Sequence, residues 1–475
     1  MLRTILLFAL FLLQLNAFAD GYEIDLKIKG LENTQVYFAY HYGEKQYIRD
    51  SLVLDQKAMG TLKGAKELGR GLYIVILPDN KYFEMIGNEQ KFSMETDTTN
   101  IIGNMKVKGS KENKLMYADL KYLSEQKNKI AAFDKLIDSD TTSGNDKVKF
   151  AEEREAIVDA IDIYRKDWAA SNSDSFYAKL IAANEEPQIP DPPSELEEEE
   201  LQRYRFNYFH DHFFDNVDFT ESGLSRSPAL FDKYEQYLNT LTVSNPDSLI
   251  NAGDYIARKA EGHPDIYKYT LSYLLNKFAQ MKYMGHDAVY VHIADEYYKT
   301  GKAHWVDSTA LYRINASAND MRGCLIGQTG RNIILKDRND EFQNVYELPG
   351  KYKVLFFWDP DCGHCKKMAP KLADAYPTLK EKYDAEVIGI ATEHEKDKWL
   401  AYLDENNPPW INVADFEFKN NFRRWYNIQG TPRIFILDEN NVIIAKRIAA
   451  DQVLGFMEHY VLQQANSKET EEKKK

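Results

Sequence analysis

The chain has 475 residues, with 60 Lys plus Arg against 74 Asp plus Glu and a formal net charge of −14. That balance argues against nucleic acid or an anionic membrane as a partner, and the length exceeds what one hydrophobic core serves, so about three domains are expected. Only 3 cysteines exclude a disulfide-framework protein, which would be small and cysteine-dense.

Arg3, the apolar run from Ile5 to Leu13 and Ala17-Phe18-Ala19 together have the charge, length and small-residue ending of a secretory signal peptide. We read residues 1–19 as that signal, with cleavage before Asp20 and an exported, periplasmic product. No cysteine occupies the cleavage position, which argues against a lipid anchor. The run is too short to span a bilayer and no later stretch approaches ~20 apolar residues, so no stable membrane insertion is expected.

From Gly21 onward, short β-prone runs alternate with turn residues: Tyr22 to Ile28, Gln35 to Tyr40 and Leu72 to Leu77. Strict apolar–polar alternation in the first of these predicts an antiparallel β sandwich over 20–110. The period then becomes helical, with Leu115, Leu120, Leu123 and Ile130 in one segment and Leu271, Leu274 and Phe278 in another. Residues 111–318 are therefore predicted as an all-α helical domain, interrupted by an acidic, Pro-rich loop over 185–200. Tyrosine is common, 31 of 475. Tyr204, Tyr208, Tyr234, Tyr237, Tyr290, Tyr297 and Tyr298 fall in this region, where helical spacing favours core packing over an aromatic peptide groove. His210, His212, His286 and His292 offer no complete metal-ligand set, so no metal is expected. The polar, charged segment 466–475 is expected to be disordered.

The chemistry concentrates in Cys362-Gly363-His364-Cys365. The motif closes the apolar run Val354 to Trp358 and opens a helix-like segment, so it lies where a buried strand meets a helix N-terminus. Unpaired N–H groups and the dipole there favour a thiolate. Cys362 is the candidate nucleophile. Cys365, one turn deeper, is the candidate resolving thiol, and His364 adds positive charge when protonated. Asp361 acts against the thiolate. Half of a zinc site would need a second Cys or His pair, yet there is no second CxxC and His394 stands alone between Glu393 and Glu395. An inert structural disulfide at this spacing would be strained. Cys324 reads as a small buried residue rather than a third redox thiol. Downstream, Thr431-Pro432 precedes an apolar strand. A cis bond there would expose the Thr431 backbone to an extended client segment.

Taken together, Phe357-Trp358, Cys362-Gly363-His364-Cys365-Lys366, Ala369-Pro370 and Thr431-Pro432 resemble the thioredoxin superfamily. Ile326-Gly327, Ile333 to Asp337 and Leu348-Pro349-Gly350-Lys351 are similar to the N-terminal hairpin of its TlpA/ResA-like extracytoplasmic thiol-disulfide oxidoreductases. The resemblance implies a C-terminal α/β thioredoxin-like fold over 319–465. It also implies substrate-groove roles for Trp358, Gly363, Thr431 and Pro432, and no cofactor beyond a redox-active Cys362–Cys365 disulfide. The β-rich start is similar to the small β domain that precedes such modules in exported proteins of Bacteroidota. Two positions depart from the pattern: Phe356 stands where thioredoxins carry a buried Asp, and Asp361 where they carry a Trp. The tetrapeptide itself is similar to that of protein disulfide isomerases.

The expected activity is thiol–disulfide exchange with envelope protein thiols and disulfides, in the reducing direction, with a further redox partner that supplies or takes electrons. Oxidase or isomerase action is the alternative. From another class, a peptide- or partner-binding envelope protein with incidental redox activity is the rival. A thiol peroxidase would need a threonine at the position held by Asp359.

Overall fold

The computed structural model describes residues 21–280 and 283–472; the expected signal segment lies outside the described residues. Two compact units form, one from the residues up to Val243 with Tyr255–Tyr269, the other from Ser244–Asp254 with Thr270 onward.

The first unit opens with β1 (Tyr22–Lys29), β2 (Gln35–Tyr42), β3 (Lys45–Val53), β4 (Met59–Gly64), β5 (Leu72–Ile76), β6 (Tyr82–Ile86), β7 (Lys91–Asp97) and β8 (Lys106–Lys108). They make two four-stranded sheets, ordered β4-β1-β7-β8 and β3-β2-β5-β6. Tyr22, Ile24, Leu26 and Ile28 alternate inward on β1, and the Tyr22 ring lies 6.0 Å from Phe38 on the facing sheet. This is the expected sandwich with one departure, since β1 and β7 pair in parallel while the other pairs are antiparallel. Alternation within a strand reports which face is buried and carries no information on direction.

Two 28-residue helices follow, α1 (Lys111–Asp138) and α2 (Gly144–Ser171), capped by Ser110 and Ser143. Only residues near the start of α1 are buried, and farther along Tyr122 stacks on Tyr164 at 3.8 Å. After α3 (Phe176–Asn184) comes the Pro-rich loop, but its last acidic residues are not loop. Glu198, Glu199 and Glu200 form the first turn of α4 (Glu198–His212), where the helix dipole favours negative charge. Then comes α5 (Ala229–Gln236), while α6 (Pro246–Ala260) and α7 (Pro264–Ala279) each contribute residues to both units. Tyr234, Tyr237, Tyr290, Tyr297 and Tyr298 are buried packing residues and do not line a groove.

The second unit contains α8 (His286–Ile293), α9 (Ser308–Arg322), β9 (Ile334–Asp337), β10 (Phe342–Asn344), β11 (Tyr352–Trp358), α10 (Gly363–Tyr383), β12 (Ala385–Ala391), α11 (Lys396–Asn406), β13 (Ile411–Ala414), α12 (Phe422–Trp425), β14 (Arg433–Leu437), β15 (Ile443–Lys446) and α13 (Val453–Glu472). Its seven-stranded sheet has the order β10-β9-β13-β12-β11-β14-β15, with β11, β12 and β13 mutually parallel and β14 antiparallel to β11. β11 is buried throughout, as a central strand covered on both faces must be. Val354, Phe356 and Trp358 enter one core, and Leu355 and Phe357 enter the other. The segment expected to be disordered from Asn466 is instead helical to Glu472, because its Lys and Glu residues are good helix formers that prolong α13. Among the described residues, no helix is long and apolar enough to cross a membrane.

Candidate active site

The parallel order of β11, β12 and β13 puts their C-terminal ends side by side, and the CxxC motif lies just beyond the end of β11. Cys362 is the N-cap residue of α10 and accepts the Cys365 backbone N–H at 3.4 Å. Its own S–H donates to the Thr431 carbonyl at 3.4 Å, and the Thr431–Pro432 peptide is cis. The structure therefore brings the CxxC motif together with the Thr431–Pro432 loop, Thr431 lying 69 positions after Cys362 in sequence.

Both cysteines of the motif are free thiols with different surroundings. Partial burial pushes the Cys362 thiol up, but the Cys365 S–H and N–H, the Thr431 side chain and the His364 N–H outweigh it, and the net shift is downward. Cys365 is 1% exposed. Burial, then its hydrogen bond to Cys362, pushes its thiol up to about 12, against opposing pulls from the Asp359 backbone and the Thr431 side chain. A half-buried, activated thiol thus lies one turn before a shielded one. This is the asymmetry that nucleophilic attack followed by resolution requires.

The other expected residues divide. His364 is exposed, and its backbone N–H is what reaches the thiolate. Gly363 is also exposed, and a Cβ there would meet nothing within 4 Å. Trp358, expected to wall the substrate groove, is 2% exposed and packs beneath the motif, its ring 4.6 Å from Tyr402. The alternation of β11 turns it inward with Phe356, so the accessible surface beside Cys362 comes from Gly363, His364, Thr431 and Pro432. The charge of Asp361 is met by Lys398 at 3.1 Å. Phe356, in place of a buried carboxylate, packs against Trp410 in the core.

Sequence reading missed the groups that hold the motif from afar. Thr392, just past β12, shares its hydroxyl proton between the Asp359 carboxylate and the Trp358 carbonyl, and Arg423 donates to the Thr392 carbonyl. No local pattern could have announced them. Cys324 is 1% exposed in the core on the other face of the sheet, with its sulfur 3.6 Å from the Lys446 ammonium, so the sheet separates it from the motif. The histidines noted in the helical region have local partners: His210 with Asp211, His212 with Asp215 and His292 with Asp254. Among the described residues, no group of three or more metal-type ligands converges.

Comparison with known proteins covers the chain in three pieces. Residues 350–443 match a thioredoxin-like family, 22–116 match DUF4369 and 168–323 match DUF5106, the last two being domains of unknown function. Nucleoredoxin of Xenopus laevis is 26% identical over 112 residues, 23% of this chain and 27% of that protein. The chain thus spans about a quarter of the length of the nucleoredoxins it matches. Thiol-disulfide oxidoreductase ResA of Bacillus cereus is 25% identical over 29% of this chain and 76% of that protein. A solved domain of a "possible thiol-disulfide isomerase" from Cytophaga hutchinsonii is 32% identical over 31% of this chain and 97% of that one, with a TM-score of 0.28. Behind a DUF4369 domain and a DUF5106 segment, the chain carries a thioredoxin-like domain of the kind found in thiol-disulfide oxidoreductases.

Proposed function

We propose that this protein is an exported thiol-disulfide oxidoreductase that exchanges disulfides with envelope proteins through Cys362 and Cys365, acting as a reductant. One observation carries the exchange chemistry, though not its direction: the Cys362 thiol is depressed at a helix N-cap while Cys365, one turn on, is held protonated to about 12. In the reducing direction the Cys362 thiolate attacks one sulfur of a client disulfide, forms a mixed disulfide and expels the client's other sulfur as a thiolate. Cys365 then gives up its proton and attacks the Cys362 sulfur. The second client thiolate leaves, the Cys362–Cys365 disulfide remains, and two electrons have passed to the client. A further thiol partner must then reduce the pair. The Thr431 backbone, which lies beside the Cys362 sulfur, supports the reading that an extended client segment pairs there.

The oxidase direction has one observation in its favour, since stabilising the Cys362 thiolate stabilises the reduced form. The reduction potential of the pair decides. A value near ~−270 mV marks a reductant, and one near ~−120 to −180 mV marks an oxidase or isomerase. A pair that fails to cycle with glutathione or thioredoxin-like couples would sink the enzyme reading and leave a partner-binding role for the upstream domains.

A further inference from the structure

Between Trp358 and Cys362 the chain makes a three-residue crossing, Asp359-Pro360-Asp361, and Asp359 anchors it twice. Its carbonyl accepts the Cys362 N–H at 3.1 Å, and its carboxylate Oδ1 accepts the Asp361 N–H at 2.9 Å. The Thr392 hydroxyl lies 3.3 Å from both the second carboxylate oxygen and the Trp358 carbonyl, and its one proton is shared between these two acceptors. Thr392 is itself fixed on both sides: its N–H donates to the Trp358 carbonyl at 2.8 Å, and its carbonyl accepts the Arg423 Nη2 at 2.8 Å. The Arg423 guanidinium lies 4.7 Å over the Phe422 ring. A line of hydrogen bonds therefore runs from α12 through the residue just past β12 to the crossing that leads into α10.

We propose that Asp359, held by Thr392 and Arg423, is a positioning residue that aims the first turn of α10 at the Cys362 sulfur, and that Thr392 is its second anchor. The inference rests on the exchange chemistry proposed above for the same thiols. Its logic is geometric. The Asp359 carboxylate takes the Asp361 N–H and its carbonyl takes the Cys362 N–H, which fixes the crossing, while the N–H groups of His364 and Cys365 in the first helical turn are directed to the sulfur. A sulfur stabilised by such donors is sensitive to their angle and distance, and a turn held on only one side would let it swing away. Asp359 is half-exposed on a loop, which gives it little part in the core. The Asp359 backbone also pulls the Cys365 thiol down, so the same crossing bears on both sulfurs.

The test compares Asp359→Ala, Asp359→Asn and Thr392→Val in the full chain, reading the alkylation rate of Cys362 against pH. Asp359→Ala should lower the Cys362 alkylation rate at neutral pH by about three- to tenfold, because charge-assisted hydrogen bonds to the thiolate are weakened rather than removed. Asp359→Asn should stay close to the parent, since its Oδ1 still accepts from Asp361 and its amide donates to the Thr392 oxygen. Thr392→Val should fall between the two, and it decides the matter if Asp359→Ala does not fold. Alkylation profiles that match the parent in both Asp359→Ala and Thr392→Val would overturn the proposal. So would an Asn variant as slow as the Ala variant, because an amide that keeps both hydrogen bonds should keep the turn in place, and loss of the carboxylate charge alone would favour the thiolate. The readout needs no client. A parent protein that fails to exchange disulfides while the variants shift as expected would sink the functional reading and leave the positioning role standing.

Discussion

The backbone N–H of Cys365 points at the Cys362 sulfur from 3.4 Å, while the side chain of the same residue is buried beneath it. One residue thus activates the nucleophile with its main chain and keeps the resolving thiol in reserve with its side chain. The helix start makes this possible, because the N-cap position leaves the N–H groups of the first turn without intrahelical partners.

From that arrangement the two thiols should separate in pH. Cys362 should react with iodoacetamide below the ordinary thiol midpoint of ~8.5, and Cys365 should stay unlabelled until far above it. Mass spectrometry of each peptide across a pH series checks the order. Preferential labelling of Cys365 at neutral pH would reverse the assigned roles. Cys362→Ser should abolish exchange, and Cys365→Ser should hold clients as mixed disulfides.

How far the sequence led depends on the range of the interactions involved. The CxxC motif, its place between strand and helix, and the buried Cys324 follow from local runs of residues. Trp358 was misplaced because the alternation along β11 decides its side, and a strand with every residue buried shows no alternation to read. Asp359, Thr392 and Arg423 were invisible as a set, since 33 and 31 positions separate them in turn and nothing in their neighbours marks the pairing. The parallel β1–β7 pair was missed for a related reason, as strand direction depends on the path between strands.

Two glycines give opposite predictions. A Cβ on Gly389 of β12 would lie 2.1 Å from Asn412 Oδ1 and 2.9 Å from Trp358 Nε1, both buried without hydrogen-bond partners. Gly389→Ala should therefore cost about 1–3 kcal/mol by overpacking directly under the motif. Gly363→Ala meets open space and should leave stability within about 0.5 kcal/mol of the parent. Urea unfolding of the two variants checks this, and equal losses would contradict the packing described.

His292 links stability to pH. The Asp254 carboxylate, hydrogen-bonded at 2.9 Å, raises its pKa against the opposing effect of burial. A histidine raised on folding contributes stability that is fully present below its unfolded value of ~6.5 and is lost as pH rises through the higher folded value. His292→Gln should therefore lower the melting temperature more at about pH 6 than at about pH 9. A difference that does not change with pH would mean that the imidazolium takes no part in the pairing.

Lys446 on β15 is 2% exposed, pairs with Asp287 of α8 and donates to the Cys324 carbonyl. Within the second unit this buried ion pair ties the edge of the thioredoxin-like sheet to α8. Two charges taken from water are costly, and their mutual attraction offsets that cost only while both remain. Lys446→Met leaves the Asp287 carboxylate buried and unpaired by the lysine, so it should cost about 3–5 kcal/mol. Adding Asp287→Leu removes the orphaned charge and should recover most of the loss. Urea unfolding of the single and double variants reads the coupling directly. A double variant no more stable than Lys446→Met would show that the lysine acts through the Cys324 carbonyl instead. Because this cluster and the Cys362–Cys365 motif lie on opposite faces of the sheet, the potential of the pair should be unchanged in both variants.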